Sequence, residues 1–145
     1  MIRPILRSPN KILSTPSSIV NDPLAPSIRN LIEDMKDTVV SANGVGIAAP
    51  QIGHSLRVIV INHKKEPYAV INPEITWQSK GKSLLEEGCL SVPDIFVKVD
   101  RPKEIIVIGI DEAGNKIEIK AKDMLAKIFQ HETDHTNGIL ISDYL

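Results

Sequence analysis

The chain of 145 residues carries 17 basic and 18 acidic side chains, and 42% of its residues are hydrophobic. The net charge of −1 gives no support for binding nucleic acid or an anionic membrane, and no segment has the roughly 20 apolar residues that span a bilayer. The length predicts one domain, residues 1–145, whose core needs no cross-links. Cys89 is the only cysteine and no apolar segment of signal-peptide length opens the chain, so we expect a cytoplasmic protein without disulfides.

The first predicted elements are an extended arm and a helix. Five prolines within residues 1–26 favour an extended arm with several turns. From Ser27 onward, apolar residues recur at helical spacing and define one face, formed by Ile28, Leu31, Ile32, Met35 and Val39. We expect Ser27 to cap this helix and Asn43–Gly44 to end it.

Segments rich in β-branched residues predict strands after this helix. They are bounded by turn residues and cover Leu56–Asn62, Tyr68–Asn72, Pro93–Pro102, Glu104–Ile110 and Lys116–Ala121. The sequence DEAGN between the last two favours a hairpin loop. A final helix is predicted from Asp123, as its N-cap, to Asn137, with Gly138 as the stop. This order of elements predicts an α+β fold with mostly antiparallel sheet.

The final predicted helix contains the sequence HETDH, in which His131 and His135 are four residues apart. Residues at this spacing lie on one helical face, so both rings can bind one ion. Glu132 can reach a water beside that ion without being a ligand itself. A solvated helix end, where the same side chains face only water, is the alternative explanation.

A catalytic metal site needs a third protein ligand and one open position. His54 and His63 lie in loop-like segments without a supporting pattern. Cys89, in the sequence LLEEGCLSVP, would by itself be interpreted as a small buried core residue. Together with the histidine pair, it completes a Cys/His/His set that suits Zn²⁺ or Fe²⁺.

The glycine-rich sequence NGVGIAAPQIG, residues 43–53, is another candidate site. It follows a predicted helix and lacks the Lys-Ser/Thr pair of a phosphate-binding loop, so we do not expect a phosphate site. One interpretation is a flexible turn with two tightly packed alanines. The other is a catalytic segment, because the neutral amide of Gln51 is a suitable donor to an oxyanion.

Three motifs occur in order along the chain: GVGIAAPQ at 44–51, EGCLS at 87–91 and QHETDH at 130–135. Together they resemble the peptide deformylase family, whose pattern GxGxAAxQ, EGCLS and HExDH is matched at every fixed position. The resemblance spans essentially the whole chain and implies mostly antiparallel sheets packed around a central C-terminal helix that carries HExDH. It also implies removal of the N-formyl group from the formylmethionine of nascent polypeptides, with release of formate.

The resemblance also implies the residues of the metal centre and the catalytic groups. One divalent ion, commonly Fe²⁺ in the native enzymes and replaceable by Zn²⁺ or Ni²⁺, would be held by Cys89, His131 and His135. Glu132 would accept and return a proton. The oxyanion would be stabilised by two donors, the amide of Gln51 and the backbone N–H of Leu90.

Further residues would support the substrate and the ligands. The peptide main chain would pair, in the manner of a strand, with backbone that glycine keeps accessible, at Val45, Gly46 and Gly88. Glu87 would orient a ligand histidine. Asp134 would form a structural pair with Arg101.

Two features depart from the family pattern. Lys127, one turn before His131, replaces the apolar residue that usually helps to line the methionine pocket. Either its charged end reaches the rim of the pocket or the pocket is more polar than usual. The chain also ends at Leu145, whereas many bacterial members continue into a helix associated with ribosome docking, so we expect no docking by that route.

Two other functions are consistent with parts of the sequence. HExxH also occurs in zincin-like metallopeptidases, but these usually take their third ligand from residues after the helix, where only Asp143 is available. A non-catalytic binding protein on a decayed deformylase scaffold is the second alternative. It would have no need to retain Gln51, Cys89 and Glu132 together.

Overall fold

The computed structural model describes residues 1–145 and contains two helices and seven strands. The helices are α1 (Pro26–Ser41) and α2 (Asp123–Thr136). The strands are β1 (Gly46–Ala48), β2 (Val58–Ile61), β3 (Tyr68–Gln78), β4 (Lys82–Cys89), β5 (Val92–Pro102), β6 (Glu104–Ile110) and β7 (Lys116–Lys122). Two 3₁₀ turns cover Ala49–Ile52 and Ile141–Tyr144. Neither α-helix has the length and apolar character that crossing a membrane requires.

The strands form two antiparallel sheets. Five strands are ordered β1-β2-β3-β6-β7, and β4 and β5 form a separate two-stranded sheet. Strands β6 and β7 pair without interruption, as the predicted hairpin requires, whereas β3 meets β6 through two register shifts. The predicted α+β class with antiparallel sheets is confirmed, although β1 and β4 are absent from the predicted set and β3 extends beyond its predicted end.

Helix α1 begins two residues earlier than predicted, because its N-cap is Ala25 and not Ser27. Pro26 occupies a first-turn position, where the N–H that proline lacks would have no helical partner, and no side chain caps the helix. The predicted cap at Ser27 is therefore wrong. The predicted end is correct, because Asn43 adopts a left-handed φ of 54° and Gly44 follows as the chain leaves the helix. All five residues of the predicted apolar face are buried.

Helix α2 is the central element, because it contacts strands of both sheets. Phe129 is fully buried at the middle of its apolar face. In β2, Ile59 and Ile61 join the core cluster of α2, while the alternate residues Val58 and Val60 pack in the cluster of α1. The five-stranded sheet is therefore covered on both faces at β2. Helix α2 covers the face that carries Ile59 and Ile61.

The ends of α2 agree only partly with the prediction. The predicted N-cap Asp123 is instead the first helical residue, and Lys122 precedes it in an extended conformation with no side-chain capping bond. The carboxylate still lies in the first turn, where negative charge is favourable. Gly138 has a φ of 75° and ends the helix as predicted.

Candidate metal centre

Cys89 at the end of β4 meets His131 and His135 of α2. The thiol sulfur and one nitrogen from each ring all lie within 4.8 Å of one another. The Sγ atom is 3.4 Å from Nε2 of His135. Ligand atoms around a tetrahedral ion, at bond lengths near 2.1–2.3 Å, are about 3.5 Å apart. The predicted three residues therefore converge on a space that fits one divalent ion.

The charge around this cluster also suits a cation. Burial lowers the pKa of His131, but Glu132, Cys89 and Glu87 together raise it to about 10. The negative groups that raise this pKa would also attract a metal cation, which would replace the proton on the ring. Burial, with the charges of His131 and Arg101, lowers the pKa of His135 well below its ordinary value, so this ring is in the neutral form that binds metals.

Glu87 orients His131 as predicted. Its Oε1 lies 3.0 Å from Nδ1 of His131, so that Nδ1 can donate to the carboxylate while Nε2 faces the cluster. Glu87 is only 3% exposed. Burial raises its pKa, but hydrogen bonds from His131 and Arg101 outweigh this effect and lower the pKa to about 2. The carboxylate is therefore a fixed negative acceptor beside His131.

Glu132 lies buried beside the cluster, with a carboxylate that lacks a full set of partners. Its Oε1 has no hydrogen-bond partner in the protein. Burial raises its pKa to about 7, because the ionised form is poorly solvated there. Its Oε2 packs against Gly46, where an added Cβ would lie 2.6 Å away. Glycine at position 46 therefore leaves room for the Glu132 side chain. The sequence alone does not show that this position needs glycine.

Gln51 is held in a defined orientation next to the cluster. Its Oε1 accepts the backbone N–H of Ala48 at 2.9 Å, so its amide nitrogen must point the other way. That nitrogen donates to Ser91 Oγ at 3.1 Å and lies 3.8 Å from Cys89 Sγ. The backbone N–H of Leu90 has no acceptor within the chain. Both predicted oxyanion donors therefore lie close to Cys89, since Gln51 contacts its sulfur and Leu90 is the next residue. The hydrogen bond from Gln51 to Ser91 was not predicted.

A cleft of about 400 Å³ opens over these groups and lies between β1 and β4. Each of these two strands is at the end of its sheet, so each has an unpaired edge. The predicted substrate-binding residues all line the cleft: Val45, Gly46 and Gly88. The space beside Gly88 is partly filled by the ring of Phe96, 2.9 Å from where a Cβ would be. Substrate pairing at these positions stays a prediction.

Lys127 lines the same cleft, but its charged end is bonded away from the metal cluster. Its Nζ donates to the backbone oxygen of Glu86 at 3.0 Å, in an exposed position. Of the two interpretations of this lysine, the position at the rim is the one that the geometry supports. The ammonium also ties α2 to β4.

The predicted pair between Asp134 and Arg101 is confirmed, with Nη1 donating to Oδ2 at 2.9 Å. Arg101 also makes a two-pronged contact with Glu87, at 2.6 and 2.9 Å, which the sequence analysis missed. Tyr144 is a second missed partner, because its hydroxyl donates to the same Asp134 oxygen. No local pattern could have revealed these contacts, since the four residues come from β4, β5, α2 and the last 3₁₀ turn.

The residues considered as alternative ligands lie elsewhere. Asp143, the candidate third ligand of a zincin, accepts the backbone N–H of Leu140 within its own turn at 2.8 Å. His54 and His63 are not part of the metal-binding cluster either. The geometry therefore favours a ligand from before the helix over one that follows it.

Comparison with known proteins gives consistent results. A family model described as polypeptide deformylase matches residues 2–145. A peptide deformylase from Bartonella henselae is 41% identical over 149 residues, which cover 99% of this chain and 84% of that protein. The crystal structure of peptide deformylase from Ehrlichia chaffeensis aligns with a TM-score of 0.96 and 39% identity, covering 100% of this chain and 88% of that one. A probable peptide deformylase from Synechococcus phage S-SSM7 aligns with a TM-score of 0.90 and 37% identity, covering 97% and 98%.

Proposed function

Because the chain belongs to the peptide deformylase family, a family of metal-dependent hydrolases, we propose how its own residues perform the family's reaction. The enzyme removes the N-formyl group from the N-terminus of nascent peptides. The observation that carries the assignment of residues is the convergence of one thiol and two imidazoles within 4.8 Å, beside a buried glutamate. Residues 1–145 act together as one catalytic domain.

Cys89, His131 and His135 would hold one divalent ion. A bound divalent ion supplies a Lewis acid and lowers the pKa of water, which makes a nucleophile available near neutral pH. The mixed sulfur and nitrogen donors suit both Fe²⁺ and Zn²⁺, while Ni²⁺ is a further candidate. We propose Fe²⁺ as the native ion, on the basis of the family resemblance.

Glu132 moves the proton. Its unpartnered Oε1 is free to accept a proton from the attacking water. As the water oxygen bonds to the formyl carbon and the C–N bond breaks, the same carboxyl returns that proton to the leaving amine. Formic acid and a free amino terminus result, and the acid ionises to formate near neutral pH.

Gln51 and Leu90 stabilise the negative charge that develops on the formyl oxygen. The amide of Gln51 is already oriented by its bond to Ala48, so little reorganisation is needed during the reaction. The Leu90 N–H, which has no acceptor within the chain, is the second donor. Fixed donors of this kind are each worth roughly 10²–10³-fold in rate.

The substrate main chain extends through the cleft between the unpaired edges of β1 and β4. Backbone groups at Val45, Gly46 and Gly88 supply its hydrogen bonds. The first side chain enters the apolar part of the cleft, near Met124 and Ile128. Lys127 stays at the rim and leaves this pocket apolar.

We place the enzyme in the cytoplasm, where nascent formylated chains are made and where a single unpaired thiol stays reduced. Its net charge of −1 gives no support for nucleic acid or an anionic membrane as a partner. Nascent formylated chains are the partner.

Formate release from a formyl-methionyl peptide, measured with the metal-loaded enzyme, tests this function. Glu132→Gln keeps the size of the side chain but removes the proton acceptor, so we expect a loss of at least about 10²-fold in kcat with the metal content unchanged. Glu66→Gln, at an exposed glutamate in a loop, is the matched control. Metal-loaded protein that never releases formate would instead support a non-catalytic scaffold.

A further inference from the structure

A series of side-chain contacts leads from the metal-binding cluster to the C-terminal 3₁₀ turn. It begins at Nδ1 of His131, 3.0 Å from Glu87 Oε1. Arg101 donates hydrogen bonds to both carboxylate oxygens of Glu87. Arg101 then donates to Asp134 Oδ2, and the hydroxyl of Tyr144 donates to the same oxygen at 2.7 Å.

The inner contacts of this series leave Glu87 and Arg101 little freedom. Glu87 and Arg101 are 3% and 7% exposed, so neither can exchange its partner for bulk water without moving. The ring of Tyr144 covers the guanidinium, with 5.2 Å between Cζ of Arg101 and the ring centroid. This cation–π contact and the hydroxyl bond act from one side chain on both members of the Arg101–Asp134 pair.

The 3₁₀ turn that carries Tyr144 is itself anchored. Leu140 and Ile141 are buried in a core cluster with β5, the strand that carries Arg101. Asp143 closes the turn through its bond to the Leu140 N–H. Burial and the bond to Asp134 raise the pKa of Tyr144 to about 12, so its hydroxyl stays a donor near neutral pH.

We propose that Tyr144 is a positioning residue of the metal centre, which holds His131 in its metal-binding orientation through Asp134, Arg101 and Glu87. The inference rests on the proposed assignment of His131 as a ligand. Tyr144 does not line the cleft and is not part of the metal-binding cluster. Its loss therefore weakens metal binding without removing any ligand.

The test is the Co²⁺ affinity of the full chain, measured by equilibrating the Co²⁺-loaded protein with a chelator of known affinity. Replacing a group that directly orients a ligand typically costs roughly 10- to 100-fold in metal affinity. For Tyr144→Phe, whose lost hydroxyl lies three contacts beyond Glu87 and whose ring is kept, we expect about a 3- to 10-fold loss. Tyr68→Phe is the matched control, because Tyr68 is the only other tyrosine and lies on β3.

An Asp134→Asn background separates positioning from a general loss of stability. If Tyr144 acts through Asp134, the effect of Tyr144→Phe on Co²⁺ affinity shrinks to less than about 2-fold in that background. The Co²⁺ absorption spectrum and the melting temperature of each variant are recorded in parallel. We expect Tyr144→Phe to change the spectrum, and its melting temperature to equal that of Tyr68→Phe.

The outcomes distinguish this inference from the assignment on which it rests. Unchanged Co²⁺ affinity in Tyr144→Phe, a loss equal to that of Tyr68→Phe, or fully additive effects with Asp134→Asn would each overturn it while leaving the metal centre intact. A wild-type chain that binds no Co²⁺ would overturn both. A His131→Ala variant that keeps wild-type Co²⁺ affinity would also overturn both.

Discussion

The contact between Gly46 and Glu132 allows a direct test of how accurately the carboxylate must be placed. In a Gly46→Ala variant, the new Cβ would lie 2.6 Å from Oε2, 2.9 Å from Cγ and 3.0 Å from Cδ of Glu132. Ordinary contacts begin near 3.4 Å, so the carboxylate must move by about 3.4 − 2.6 = 0.8 Å. Rotation of the carboxylate alone cannot relieve the overlap, because Cγ is involved and the side chain is 3% exposed.

A displacement of about 1 Å in a catalytic group can cost on the order of 10²-fold in rate. We therefore expect kcat of Gly46→Ala to fall about 30- to 100-fold, which corresponds to roughly 2–3 kcal/mol of transition-state stabilisation. Metal binding should be unchanged, since no ligand is touched. Overpacking should also lower the free energy of unfolding by about 1–3 kcal/mol.

Steady-state formate release gives kcat and KM, metal analysis gives occupancy, and urea denaturation gives stability. Gly81→Ala is the control, because an added Cβ there meets no atom within 4 Å. A variant with full metal occupancy and kcat within about 2-fold of the wild type would refute the claim that Glu132 must stay in this position. A higher KM with unchanged kcat would instead show that the glycine serves the approach of the substrate.

Three further substitutions test separate parts of the site. Cys89→Ala removes the sulfur ligand, so we expect metal analysis to show a protein with little bound metal and no formate release; retained metal would favour a zincin-like site. Arg101→Leu leaves Glu87 buried without its counter-charge, so we expect urea denaturation to show a loss of about 3–5 kcal/mol, and a loss below about 1 kcal/mol would contradict the importance of this pair. Lys127→Met removes a charge at the rim, so kcat/KM for formyl-methionyl peptides should change by less than about 3-fold, whereas a new preferred first residue would show that Lys127 reaches into the pocket.

Local sequence patterns determined the elements that have one clear buried face. The helical spacing in α1 predicted every apolar residue of its buried face but not the buried Thr38, and the hairpin of β6 and β7 appears almost where the sequence places it. Strand β4 was missed because its sequence, KSLLEEGC, does not alternate. Leu84 and Leu85 are adjacent and both exposed, at 60% and 41%. Because successive strand residues point to opposite faces, neither face of the two-stranded sheet is fully covered at this point. Strand β3 runs past its predicted end because Asn72 adopts a φ of 53° and the strand continues through irregular pairing.

The sequence by itself determined the donor chemistry of the centre. The spacing of His131 and His135 places both rings on one face of a helix wherever that helix lies, and the motif around Cys89 identifies the thiol. Only the tertiary structure decided which groups support these donors: Arg101 against Glu87, Tyr144 against Asp134, and Gly46 against Glu132. Helical spacing relates residues within about one turn, so it can be recognised in the local sequence. The supporting contacts join residues from 10 to 86 positions apart, as 144 − 134 and 132 − 46 show, and they arise only when packing of the core brings those segments together.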